Sequence, residues 1–205
     1  MKVLGINGSH RAGKGTAALL QAALDAAAAR GAETELVELS QLDIKFCIGC
    51  NACLGRCSCT LSDDMDGLYE KLREADAIIL GSPDYFGDVS ARMKNFMDRT
   101  RPFHMVENVL KGKVGGGVAT AGLDNCGIES TMATIDHWHA THELLVVHPR
   151  PAGPVLKCGA EATGFGGLDE AGKPIWRSVK ADAAAFASAR QLGEDIVALV
   201  ERLDA

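Results

Sequence analysis

The sequence predicts an α/β fold in a single domain over residues 1–205: a doubly wound, open parallel sheet of five strands in the order 2-1-3-4-5. Three observations predict it. Short β-branched runs alternate with stretches of helical period, the pattern that builds a parallel sheet covered on both faces. A glycine-rich turn separates the first such run from the first helical stretch, and right-handed crossovers wind the later units outward. With 47% hydrophobic and 23% charged residues, 205 residues suffice for one well-buried core.

The first strand is Lys2 to Ile6, and the first helix runs from about Thr16 to Arg30 with Leu19, Leu20, Ala23, Leu24 and Ala27 on one stripe. The second strand, Thr34 to Leu39, leads into a cysteine-bearing loop over 47–59. The second helix begins near Asp63 and Asp64, whose carboxylates suit the positive end of the helix dipole. The third strand, Ala77 to Leu80, ends at Gly81-Ser82-Pro83, and the third helix covers roughly Ala91 to Thr100. The fourth strand is Val114 to Ala119, the fourth helix lies within Ile128 to Thr141, and the fifth strand is Leu144 to Val147.

A C-terminal extension, 149–205, completes the chain. Three prolines and the Gly-Phe-Gly-Gly run at 164–167 make 149–172 an irregular surface excursion, a cover over a ligand or a contact between subunits. The closing helix, Asp182 to Leu203, docks on the sheet through Leu192, Ile196, Leu199, Val200 and Leu203.

A formal net charge of −6 and a pI near 5.5 exclude a sequence-independent hold on nucleic acid, which needs a basic stripe to displace counterions from phosphates. The N-terminal apolar run is too short for a signal peptide, and no stretch approaches the roughly 20 apolar residues of a spanning helix. The expectation is a cytoplasmic protein without a membrane partner. Five of the seven cysteines, Cys47, Cys50, Cys53, Cys57 and Cys59, fall within thirteen residues. In a reducing compartment such a cluster reads as a metal site before a disulfide framework.

Between the first strand and helix lies Gly8-Ser9-His10-Arg11-Ala12-Gly13-Lys14-Gly15-Thr16. Unsatisfied N–H groups and the positive dipole end converge at a helix N-terminus, glycines let the backbone approach, and Ser9, Arg11 and Thr16 add hydrogen bonds, so this is an anion site. The stretch also reads as G-x-x-x-x-G-K-G-T, close to the phosphate loop of nucleotide kinases. Against that reading, Gly15 stands where Ser or Thr is expected, no arginine-rich lid is evident, and the cysteines are too close for a paired C-x2-C zinc lid.

With its neighbours, this loop resembles the G-S-x-R-x-x-x-x-T loop of the NAD(P)H-dependent FMN reductase branch of the flavodoxin-like superfamily. Gly81-Ser82-Pro83-Asp84-Tyr85-Phe86-Gly87, followed by Met93-Lys94-Asn95-Phe96-Met97-Asp98-Arg99, resembles that family's G-S-P-x-Y-x-G and K-x-F-x-D-R. Thr120-Ala121-Gly122, leading to Asn125-Cys126-Gly127, resembles its third flavin loop. The resemblance implies FMN, its phosphate on Ser9, Arg11, Gly15 and Thr16 and its ring near Pro83, Asp84, Tyr85, Phe86, Gly87, Thr120, Ala121 and Gly122. Tyr85 and Phe86 would flank the isoalloxazine; the plainer reading of two aromatics is core packing. Asp84 departs from the family's apolar residue, and its carboxylate is expected to point outward, away from an anionic reduced flavin.

The cysteines read C-x2-C-x2-C-x5-C from Cys47 through Cys50 and Cys53 to Cys59, with Gly49 and Gly55 permitting tight turns. By residue type alone they fit an iron–sulfur cluster, a structural zinc, a redox disulfide or plain thiols. The segment resembles the archaeal and bacterial iron–sulfur flavoproteins, which implies a 4Fe-4S cluster on Cys47, Cys50, Cys53 and Cys59. Cys59 is preferred to Cys57 because its distance from Asp63-Asp64-Met65 matches that family. The function implied is an FMN-containing oxidoreductase, redox chemistry residing in the cofactors, that moves electrons between a ferredoxin-like carrier or NAD(P)H and small acceptors. A homodimer or homotetramer is implied as well. The alternatives are a cluster-free NAD(P)H-dependent FMN or quinone reductase and a kinase-like phosphate-loop protein. His137, His139 and His142 are expected on a subunit or flavin-edge surface, and Cys126 and Cys158 as buried small hydrophobes.

Overall fold

A computed structural model describes residues 1–124, 126–150 and 159–205. Five strands run parallel through most of the sheet: β1 (Lys2–Asn7), β2 (Glu33–Glu38), β3 (Ala77–Pro83), β4 (Val114–Ala121) and β5 (Leu145–Val147), in the order β2-β1-β3-β4-β5. The predicted order and hand-over between units are those observed. Between them lie α1 (Gly15–Ala29), α2 (Met65–Glu74), α3 (Ala91–Arg99), a single turn α4 (Pro102–Met105) and α5 (Ile128–Thr141).

Side chains on a strand alternate between faces, and the two halves of the core follow that period of two. Leu4 and Ile6 of β1, with Ile78 and Leu80 of β3, face the layer that carries Leu68, Leu72, Phe96 and Trp138. Val3 and Ile79 face the opposite layer, with Leu19, Leu20 and Leu24 of α1. All five residues of the predicted α1 stripe are buried. The Gly115-Gly116-Gly117 run of β4 admits helices from both sides, since an added Cβ would meet His139 and Ile135 of α5 on one face and Leu192 and Ile196 on the other.

The segment expected to be irregular is partly regular. The chain returns at β6 (Ala160–Thr163), which pairs parallel with Val118–Ala121 of β4, and then forms a hairpin of β7 (Phe165–Leu168) and β8 (Pro174–Trp176). The cause lies in β4. Its eight residues meet only three of β5, at Val114–Gly116, so the rest of its edge would leave buried N–H and C=O groups without partners. Ala160 and Ala162, both fully buried, close that edge, so the fifth position of the sheet is filled by two strands end to end. Residues 151–158, with two of the three prolines and Cys158, lie outside the described residues.

The final helix, α6 (Ala183–Leu203), starts where expected, with the Asp182 carboxylate accepting from the Ala185 N–H at 3.1 Å. It packs through Leu192, Ile196 and Val200, with Leu199 partly buried; Leu203 is exposed, because the helix outruns the sheet. A Cβ on Gly193 would stand 2.0 Å from the Ala23 carbonyl oxygen, so α6 and α1 touch backbone to backbone. Among the described residues no helix is long and apolar enough to cross a membrane.

Candidate functional site

The carboxyl ends of β1, β3 and β4 carry three turns locked to one another. Asn7, fully buried at the end of β1, accepts the Ser9 N–H on Oδ1 at 3.0 Å and donates through Nδ2 to Glu38 Oε2 at 2.6 Å. The other Glu38 oxygen accepts the Gly13 N–H at 2.9 Å, so a carboxylate at the end of β2 braces the whole first turn. From the α3 side the Ser90 hydroxyl, which caps α3, donates to the Gly8 carbonyl at 2.6 Å. Thr16 and Thr120 share a hydroxyl–hydroxyl hydrogen bond of 2.7 Å, and the Asp84 N–H donates to the Thr120 carbonyl at 2.7 Å.

These turns bound a cavity of about 440 Å³ lined by Ser9, Arg11, Gly15, Thr16, Pro83, Asp84, Tyr85, Thr120, Ala121 and Gly122. Helix α1 opens onto it with Lys14 at the N-cap, no side-chain cap and no acid in its first turn, so its N-terminal N–H groups and dipole are offered to an anion. Two expected residues, Phe86 and Gly87, are not in the lining. Both have positive φ, 62° and 84°, at the tip of a tight turn closed by the Tyr85 N–H to the Asp88 carbonyl, and Phe86 is fully exposed. Tyr85 stacks on His10 with centroids 5.5 Å apart. The Asp84 carboxylate is turned towards α5, accepting from the Thr131 hydroxyl at 3.3 Å.

The remaining wall is formed by Lys14 of the first loop, Gly164 of the Gly-Phe-Gly-Gly run, and a stretch that local motifs do not announce, Trp176, Arg177, Ser178 and Val179 at the end of the hairpin. Val179 explains the glycine that departs from the kinase pattern, because a Cβ on Gly15 would lie 2.3 Å from Val179 Cγ2. Two cations, Lys14 and Arg177, thereby join Arg11 around the mouth of α1. The only sequence signal was the positive charge of Arg177 beside an aromatic; nothing in its own neighbourhood tells where the hairpin lands.

A second pocket is formed by the cysteine loop. Gly49 and Asn51, in left-handed conformations (φ 65° and 59°), turn the chain so that Cys47, Cys50 and Cys53 line one concavity with Cys59, Asp98, Arg99, Arg101 and Pro102. Arg101 pins the turn by donating to Asn51 Oδ1 at 2.9 Å. Cys57 is turned away, its thiol donating to the Pro102 carbonyl at 3.2 Å. Cys50 Sγ and the Thr60 hydroxyl lie 3.4 Å apart, and the Leu61 N–H donates to Cys59 Sγ at 3.5 Å. The Thr60 hydroxyl first, then the Ala52 N–H, hold the Cys50 thiol below its ordinary pKa. Among the described residues no three His, Cys, Asp or Glu side chains converge on the position of a single metal ion; the thiols ring the pocket instead.

The base of this loop is held by Asp63 and Arg99, an ion pair of 2.7 Å whose side chains are each 1% exposed. Asp63 also accepts the N–H groups of Lys45 and of Met65, the first residue of α2, while Asp64, at the N-cap, accepts the Asp43 N–H. Burial alone would raise the Asp63 carboxyl; Arg99 and the two N–H groups outweigh it and hold the carboxyl below the usual range.

The histidine expectation is corrected for two residues. His139 and His142 are buried in the α5 layer, not on a rim. The His142 ring shares a 3.0 Å hydrogen bond with the Thr100 hydroxyl, which also accepts from the Trp138 indole at 3.0 Å. Helical spacing puts His139 inward, over the cleared face of Gly115. Burial lowers its pKa to about 3, against weak help from the Ile78 carbonyl, and burial lowers that of His142 to about 4. Cys126, expected in the core, is exposed in the turn before α5.

Compared with known proteins, residues 1–152 match the NADPH-dependent FMN reductase family. The chain belongs to that family. A curated iron–sulfur flavoprotein of Methanocaldococcus jannaschii is 38% identical over 201 residues, covering 98% of each chain. One from Archaeoglobus fulgidus is 36% identical over 201 residues, covering 98% of this chain and 96% of the other. Among solved structures, RosB superposes with a TM-score of 0.76 at 18% identity, covering all of this chain and 80% of that one, a likeness of fold. This member of the FMN reductase family is thus a flavin-dependent oxidoreductase on a flavodoxin-like sheet. The family match ends before β6, the hairpin and α6, whereas the two relatives align across nearly the whole chain.

Proposed function

We propose that the cavity on the first three turns binds FMN, that Cys47, Cys50, Cys53 and Cys59 bind a 4Fe-4S cluster, and that the protein moves electrons between NAD(P)H or one-electron carriers and small acceptors. The observation that carries the reading is the division among the cysteines: four line one pocket, and Cys57 is hydrogen-bonded outside it. Four thiolates in a compact loop are the donor set of such a cluster. The curated relatives that align over the whole chain are named iron–sulfur flavoproteins, which supports the same reading.

The chain's own contribution is binding and electrostatics. The uncapped start of α1, with Ser9, Gly15 and Thr16, meets a phosphate, and Arg11, Lys14 and Arg177 offset its charge. Tyr85 and Trp176 offer aromatic surface beside it, with Phe86 and Gly87 as its outer rim. Bound FMN supplies exchange of electrons in pairs as hydride or singly, which is what joins a nicotinamide to an iron–sulfur centre. Arg99 and Arg101 line the pocket beside the thiols and would offset the negative charge of a thiolate-ligated cluster. Assembly as a homodimer or homotetramer is part of this proposal.

Anaerobic purification with flavin, iron and sulfide analysis tests it. Wild type and Cys57→Ser are expected to carry FMN and about four irons per chain, whereas Cys59→Ser loses iron and keeps FMN. FMN without iron in wild type would leave a cluster-free NAD(P)H-dependent FMN or quinone reductase, the activity that the family match favours by itself. A colourless protein with no affinity for FMN would overturn the whole reading.

A further inference from the structure

Arg99 is the largest fully buried side chain among the described residues. Burying a guanidinium costs several kcal/mol, and an apolar side chain of similar volume would usually hold α3 to the cysteine loop as well or better. Its surroundings show an orientation as well as a pairing. Nη1 donates to the Lys45 carbonyl at 2.6 Å and to Asp63 Oδ2 at 2.7 Å, and Nη2 donates to Asp63 Oδ1 at 3.2 Å. Asp63 is held on its far side by the Lys45 and Met65 N–H groups. Arg99 lines the cysteine pocket and Asp63 does not, so the pair turns its positive end to the thiols. Among the described residues the buried Arg99 Nε–H has no acceptor, a costly state for a donor on a cation unless something in the pocket accepts from it.

Resting on the reading of Cys47, Cys50, Cys53 and Cys59 as cluster ligands, we propose that Arg99 is a positioning residue for that centre. Its Nε–H bonds a cluster sulfur or ligating thiolate, and its charge raises the reduction potential. The sign follows from electrostatics: reduction adds negative charge to a centre already anionic through four thiolates, and a fixed cation in a low-dielectric wall stabilises the reduced state more than the oxidised one. Asp63, on the opposite side of the guanidinium, offsets part of that effect.

The test is an EPR-monitored redox titration of the anaerobically purified holoprotein. Arg99→Gln is expected to lower the cluster midpoint by about 59 mV, a tenfold weaker one-electron reduction, and Asp63→Asn to raise it, with the flavin midpoint unmoved in both. Arg99→Lys restores most of the charge but not the Nε donor, and falls between Arg99→Gln and wild type. Opposite shifts from the two partners of one ion pair are the signature; a purely structural pair would shift both variants the same way. Unchanged midpoints at full iron content, or shifts of one sign, overturn the proposal. Should the variants fail to hold iron, ¹⁵N-arginine labelling of wild type and of Arg101→Lys decides: pulsed EPR of the reduced cluster shows an arginine nitrogen coupling in both, and its absence overturns the proposal. Wild type without iron would instead defeat the cluster assignment itself.

Discussion

Thr16 and Thr120, 104 residues apart in the chain, meet hydroxyl to hydroxyl at 2.7 Å and tie the first turn of the sheet to the third. Both line the cavity, so their geometry sets that of the first turn. Thr16→Val is expected to weaken FMN binding roughly tenfold, about 1.4 kcal/mol, because it strands a buried hydroxyl and removes a donor from the loop. Thr120→Val should cost less, and Thr16→Val with Thr120→Val less than the sum, as read by flavin fluorescence titration.

Glu38 gives a prediction on specificity. Its carboxylate braces the first turn through Gly13 and Asn7 and does not line the cavity. Glu38→Ala is expected to reduce affinity for FMN about tenfold, about 1.4 kcal/mol, while leaving riboflavin affinity nearly unchanged, since in the proposed site the first turn meets the phosphate that riboflavin lacks. Calorimetry with the two flavins checks it; equal losses for both would count against the brace.

The contact between Gly15 and Val179 predicts a rescue. Gly15→Ala drives a methyl into Val179 and should destabilise the fold by about 1–3 kcal/mol. Val179→Ala added to Gly15→Ala should recover most of it in urea denaturation, because the added methyl then has somewhere to go. A Gly15→Ala protein as stable as wild type would mean that the run after the hairpin does not rest on the loop.

His139 and His142 set a pH dependence. Both have folded-state pKa values, about 3 and about 4, below the unfolded value near 6.5. Between these limits the unfolded chain binds more protons, so stability is full above about pH 6.5 and falls as pH drops towards 4. His139→Leu, replacing a fully buried ring with an apolar side chain, should flatten that decline and leave stability at pH 8 little changed. Thermal unfolding across pH 4–8 measures both.

Much of this was legible in the residues. The Leu19–Ala27 stripe, the alternation in β1 and β3 and the glycine turn are local patterns, and local patterns report which face of an element is buried. Ten of the twelve residues expected at the flavin line the cavity, because a motif at the carboxyl end of a strand fixes its own position in an open parallel sheet. What the sequence hid is non-local. Ala160 and Ala162 have no strand-forming side chains, and they enter the sheet only because β4 offers an unpaired edge. Val179 reaches the first turn by tertiary placement of the hairpin. His139 was misread because its inward face depends on a glycine 24 positions earlier, on another element. The preference for Cys59 over Cys57 came from spacing relative to Asp63, and Asp63 is the residue that Arg99 anchors beneath that loop.

The two-piece fifth position of the sheet dictates an order of events during synthesis. A nascent chain that has emerged only as far as Val147 exposes half an edge of β4, and the flank of α1 that Gly193 will press against is bare. Those surfaces are covered by Ala160–Thr163 and by α6, so the edge of β4 and the flank of α1 stay open until these later segments have emerged. Truncated products should be holdase clients, however intact their first 147 residues.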